Sequence, residues 1–136
     1  MNTFLVLIIV IALSVGSTNA SILFPKNKVY IVNSLSKYDD VLRVHCRSIK
    51  DDLGVHLVRY PLDNFHFELG DNIFGGTKFI CTLSHGVGFK SSVTFTAYEE
   101  GGSFYIRFGA LDVWEAREDG IYLTDDNHHA TFMYAW

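Results

Sequence analysis

The stretch VHCRSIKDDLGVH, residues 44–56, gathers Cys46, two histidines (His45 and His56), the carboxylates Asp51 and Asp52, and two basic residues. Those residue types suit three chemistries: a Cys–His nucleophile, histidine–carboxylate acid–base catalysis, or a metal centre. A Cys–His nucleophile needs a free, activated thiolate beside its base. A metal centre needs ligand spacings that fold onto one point. Outside this stretch, His66, His85 and the Asp125-Asp126…His128-His129 cluster are the remaining candidates. What any of them can do depends on the elements that hold them.

Those elements read as strands. Period-two alternation of apolar and polar residues runs through most of the chain after residue 27, and sustained helical spacing is absent. KVYIVN (28–33), VLRVHC (41–46), GVHLVRY (54–60), NFHFELG (64–70), TKFICTLS (77–84) and SVTFTAY (92–98) are strand-like. SFYIRFGAL (103–111), VWEAR (113–117), GIYL (120–123) and TFMYAW (131–136) continue the series. Glycine-rich turn signals separate them at Leu53-Gly54, Gly70-Asp71-Asn72, Gly75-Gly76, Gly86-Val87-Gly88, Gly101-Gly102 and Asp119-Gly120. A short helix fits only around 34–40. Strands that alternate this cleanly bury one face, which predicts an all-β fold, a small antiparallel β-sandwich of two packed sheets.

Alternation decides the opening question. It puts Leu42, Val44 and Cys46 on one face of a strand and Arg43 and His45 on the other, so His45 and Cys46 cannot converge on one reacting atom. Asp51-Asp52-Leu53-Gly54 reads as a turn, with Asp oxygens capping backbone N–H groups and Gly54 supplying a permissive φ. The stretch is expected to be strand, turn and strand, with no catalytic residue in it. His128 and His129 would point opposite ways on an extended chain, and their spacing from Asp125 and Asp126 matches no zinc signature. Neither a metal nor another cofactor is expected. A small secreted hydrolase working through His45, His56, His66 or His85 is the alternative class.

The N-terminal residues point to export. An apolar run over 4–13 is followed by small residues ending in Thr18-Asn19-Ala20. The run is short for a membrane span, and no basic flank follows it. Residues 1–20 are therefore expected to be a secretory signal cut between Ala20 and Ser21, leaving residues 21–136 as a single domain outside the cell. All 11 basic and 15 acidic residues lie beyond the signal, so the exported part keeps a net charge of −4. With no Lys/Arg cluster, neither nucleic acid nor an anionic membrane is an expected partner. An oxidising compartment favours a bond between Cys46 and Cys81 over free thiols or metal ligation.

Taken together, Asn33 after the first strand, VHCRSIKDDLGVH, FHFEL, GTKFIC and VWEAREDGIYL resemble the plant self-incompatibility S-protein homologue family, from Val29 to the C-terminus. The resemblance implies a small secreted β-sandwich acting as a ligand in cell–cell signalling. In the pollen-recognition members that ligand is secreted by the stigma and binds a membrane receptor on pollen. A plant membrane receptor protein is then the expected partner, and a monomer the expected state. Family members commonly carry two further cysteines where this chain has Phe108 and Asp112. Their joint loss leaves Cys46 and Cys81 as the surviving pair, and leaves the Phe108 region without a covalent staple. A ligand of this kind makes its contacts mainly through loops. The candidates are Asp51 and Asp52, Glu99 and Glu100 with Gly101-Gly102, the Gly86–Lys90 hairpin and the Asp125–His129 loop.

Overall fold

A computed structural model describes residues 25–70, 76–100, 107–126 and 128–136. The expected signal at 1–20, its Ala20–Ser21 cut, and the turns at Asp71-Asn72, Gly75 and Gly101-Gly102 lie outside those residues. The described strands are β1 (Asn27–Asn33), β2 (Leu42–Arg47), β3 (Asp52–Val58), β4 (Asn64–Leu69), β5 (Lys78–His85), β6 (Ser91–Glu99), β7 (Leu111–Arg117), β8 (Gly120–Thr124) and β9 (Ala130–Ala135). They form two sheets, one in the order β4-β1-β7-β8-β9 and the other in the order β3-β2-β5-β6.

The alternation that marked the strands also builds the core. On β2, Leu42, Val44 and Cys46 are fully buried, while Arg43 and His45 face outward. Facing them are Val29, Ile31, Trp114, Ala116 and Ile121 from the five-stranded sheet. Each fully buried large aliphatic side chain contributes roughly 1.5–3 kcal/mol. The Trp114 indole N–H donates to the carbonyl of Ala97 at 3.0 Å, so the largest core side chain leaves no polar group unsatisfied.

Among the described strands, all pairings are antiparallel except one. β1 and β7 run parallel, which makes the five-stranded sheet mixed where the alternation alone suggested a purely antiparallel one. Two buried asparagines fix the ends of β1. Asn27 donates to the Tyr98 hydroxyl at 2.8 Å and to the Arg107 carbonyl at 2.9 Å, and accepts from the Ala110 N–H at 2.9 Å. Asn33 donates to the carbonyls of Asp40 and Val58 and accepts from the Leu35 N–H. That second set ties down residues 34–40, the one place where a short helix was conceivable; they hold a turn at 36–39 and no helix.

Three boundaries differ from expectation. The turn after β2 spans Ser48 to Asp51, where the Asp51 N–H donates to the Ser48 hydroxyl at 3.0 Å. Asp52, Leu53 and Gly54 already belong to β3, so the tetrapeptide read as a turn is instead a bulge: pairing shifts between His45↔Val55 and Arg47↔Asp52. Gly54 sits there at φ +80°, a backbone that other residues rarely adopt, so its permissive role holds in a different place. The Gly86–Lys90 hairpin is closed by a short 3-10 turn, Val87–Phe89. Of the expected strand at 103–111, the described residues 107–110 form no strand, and β7 begins at Leu111.

Candidate functional site

Two of the four loops nominated by sequence, at Asp51-Asp52 and at Glu99-Glu100, lie at one end of the four-stranded sheet, whereas the Gly86–Lys90 hairpin is at its opposite end and the Asp125–His129 loop joins β8 to β9 in the other sheet. At the Asp51 end, β2 stops at Arg47, the Ser48–Asp51 turn follows, β5 starts at Lys78 and β6 finishes at Glu99. Lys78 pairs with Glu99 in the β5–β6 register, and the Glu100 N–H donates to the Thr77 carbonyl at 2.9 Å. Between the turn and the start of β5 lies an open groove of about 720 Å³, walled by residues 47–51 and 76–80. Beneath it, Cys46 and Cys81 are directly paired across β2 and β5, with Cα atoms 4.0 Å apart, and are bonded to each other. The bridge joins two central strands of one sheet and does not cross between sheets. Neither sulfur is accessible, and there is no thiol for nucleophilic chemistry.

The carboxylates at this end have different environments. Asp52 accepts from the Gly54 N–H at 2.9 Å and pairs with His45 Nε2 at 2.7 Å. Those bonds, the backbone one first, hold its pKa below the ordinary aspartate value. Asp51 is exposed and lines the groove. Glu99 is exposed, whereas Glu100 is buried at 9 % exposure.

The histidines do not assemble. His45 lies on the outer face of the four-stranded sheet against Asp52. His56 stacks on Phe65 with ring centres 4.3 Å apart, and its Nε2 lies 2.7 Å from the Leu53 carbonyl. His66 stacks on Tyr30 on the outer face of the other sheet. His85 is buried at the far end, 3.1 Å from Asp40, with its ring edge-on to Trp136. His128 adopts φ +61° in an exposed turn closed by its N–H on the Asp125 carbonyl, and His129 is also exposed. No histidine lines the groove, and among the described residues no three His, Cys, Asp or Glu side chains group to hold a metal.

Near the other end of β7, Asp112 is buried and paired with Arg107 at 3.0 Å. Burial raises its pKa against the pull of Arg107, and Asp126 and Asp125 push the same way.

The sandwich, the bonded Cys46–Cys81 pair and the buried Asn33 coincide with similarity along nearly the whole chain. A model of the family described as plant self-incompatibility protein S1 matches residues 28–136. The chain belongs to this family. S-protein homolog 7 of Arabidopsis thaliana is 56 % identical over 137 residues, covering all of both chains. S-protein homolog 11 of the same plant is 40 % identical over all of this chain and 94 % of its own length. A solved structure of a self-incompatibility protein homologue, from a group described as small, highly stable, secreted plant proteins, matches with a TM-score of 0.67. It is 20 % identical and covers 83 % of this chain and 96 % of its own. The similarity establishes the sandwich as that of the S1 family.

Within the S1-family frame, this chain secures the 107–112 segment with polar contacts. Asn27 holds the Arg107 and Ala110 backbone, and Arg107 reaches both Asp112 and the Tyr98 ring, 5.2 Å away. The groove cations Arg47, Lys50 and Lys78 were not singled out from sequence. Lys78 lies far along the chain from the other two, and only the β2–β5 pairing brings them together. The one available signal was the position of Arg47 and Lys50 on either side of the Ser48-Ile49 turn tip.

Proposed function

We propose that the protein is a secreted, non-catalytic ligand for cell–cell signalling in plants, of the kind used in pollen–stigma recognition, and that it acts by binding a membrane receptor. The observation that carries this is the composition of the groove: it contains cations, hydroxyls and one carboxylate, but no histidine and no thiol, and one wall of it is the loop that carries Asp51. General acid–base catalysis usually pairs two titratable groups that share the proton transfers, and the groove's one carboxylate, Asp51, has no histidine beside it. The hydrolase alternative would have to work from histidines outside the groove, of which His45 and His85 each pair with one carboxylate, Asp52 and Asp40, at separate places on the fold. Family membership and the N-terminal apolar run support export.

Affinity capture from plant membrane extract tests the proposal, run beside turnover assays on ester, phosphodiester and glycoside substrates. A membrane protein captured and released by excess untagged chain, with no turnover, is the expected result. Substrate turnover that tracks the purified protein would replace the ligand by an enzyme.

A further inference from the structure

We propose that the groove between the Ser48–Asp51 turn and the start of β5 receives an acidic, extended segment of the protein partner. This rests on the receptor-ligand proposal above and names the chemistry of its contact.

Three cations line the groove, Arg47, Lys50 and Lys78, against a single carboxylate, Asp51. All three are exposed, and none closes a salt bridge within the described residues. Arg47 feels Asp52 across the β2–β3 register without closing an ion pair, because Asp52 is engaged by His45 and the Gly54 N–H. The lining itself carries a net two positive charges in a chain of net charge −4, which favours an acidic segment, while Asp52 and Glu99, opposite Arg47 and Lys78 in register, flank it outside the lining.

The walls are also held in place. Cys46 immediately precedes Arg47, and Cys81 immediately follows Ile80, so the disulfide pins together the strands that present the cations. Pairing shifts flank both sides, in β3 opposite Arg47 and in β6 opposite Phe79-Ile80. Bulges re-aim side chains at strand ends, and here they fall on either side of the groove. A rigid site loses less entropy on binding.

Ile49 selects a peptide over other polyanions. It projects from the turn tip fully exposed, an aliphatic knob beside the cations. A peptide can match it with an apolar side chain, which an acidic sugar lacks, although the sugar's carboxylates could pair with the same cations. The groove's only aromatic residue, Phe79, is buried at 7 % exposure.

The test is a titration of 15N-labelled protein, expressed from the full chain, with the blocked peptide (Glu-Leu)3. The blocked peptide (Lys-Leu)3 and tri-galacturonate are parallel arms. The expected result is amide shifts centred on residues 47–51 and 77–80 with the acidic peptide alone. That affinity should fall at least about tenfold between low and physiological salt. The Lys50→Glu/Lys78→Glu variant should weaken it about tenfold or more, and Ile49→Ser should weaken it at unchanged salt dependence. Exposed substitutions of this kind leave the fold intact, which the variant spectra report directly. Absent shifts, shifts scattered over other surfaces, equal response to the basic peptide, or stronger binding of tri-galacturonate would each overturn the inference. None of these results bears on whether a receptor exists. A failed membrane capture with a positive titration would sink the receptor proposal and leave the groove chemistry standing.

Discussion

Removing the Cys46–Cys81 bridge should weaken the fold by an amount that follows from where it lies. The β2–β5 ladder already places the two Cα atoms 4.0 Å apart, so the native state needs no bond to bring them together. The bond must therefore act mainly on the unfolded chain, where it closes a loop with a sequence separation of 35. Loop-closure entropy for that length is worth roughly 4 kcal/mol. Refolding the reduced protein keeps both sulfur atoms in the core and isolates this term. The double variant Cys46→Ala/Cys81→Ala adds about 1 kcal/mol for each vacated buried position. At about 4 °C per kcal/mol for a folded domain of this size, the reduced protein should melt about 16 °C below the oxidised form. The double variant should melt several degrees lower still. Circular-dichroism melts with matched urea titrations measure both. A reduced protein melting within about 3 °C of the oxidised one would refute the loop-closure reasoning.

Other perturbations probe the polar supports. Asn27→Ala strips partners from the buried Ala110 N–H and should cost roughly 3 kcal/mol in urea unfolding, with faster hydrogen exchange at Ala110. Gly120→Ala places a Cβ against the Tyr134 carbonyl and the Phe132 ring, and should cost about 1–3 kcal/mol; an unchanged unfolding midpoint would contradict that contact. Burial raises the Asp112 pKa above its unfolded value of 3.8, so the native state holds that proton longer. Its contribution is greatest below the unfolded value and declines as pH rises through the folded one. Asp112→Asn cannot ionise, so its stability relative to the unmodified chain should improve as pH rises from about 4 towards neutrality. Urea midpoints at several pH values check the sign, and a trend in the opposite direction contradicts it.

Alternation made the fold legible. Period two puts Leu42, Val44 and Cys46 on one face, and all three are buried. Parity cannot report strand direction, and the parallel β1–β7 pair was invisible for that reason. The Asp51–Gly54 tetrapeptide misled because the residues that favour turns also favour bulges. Both need a positive φ at glycine and an Asp oxygen beside a free N–H, and only the register separates them. Glu100 has the sequence neighbourhood of an exposed loop but is buried next to the β5 start. Asn33 was visible only as a resemblance marker; its three bonds, to segments as distant as Val58, depend on tertiary placement. The groove was hidden because its two cationic walls lie on strands paired across a long stretch of chain.

The proposed role is binding to a surface receptor, with no turnover of a substrate. Equilibrium binding of the fluorescently labelled chain to intact plant protoplasts, before and after mild surface proteolysis, tests it most directly. The expected isotherm saturates, is displaced by unlabelled chain and disappears after proteolysis. Binding that rises linearly without saturation, or that survives proteolysis unchanged, would contradict the claim.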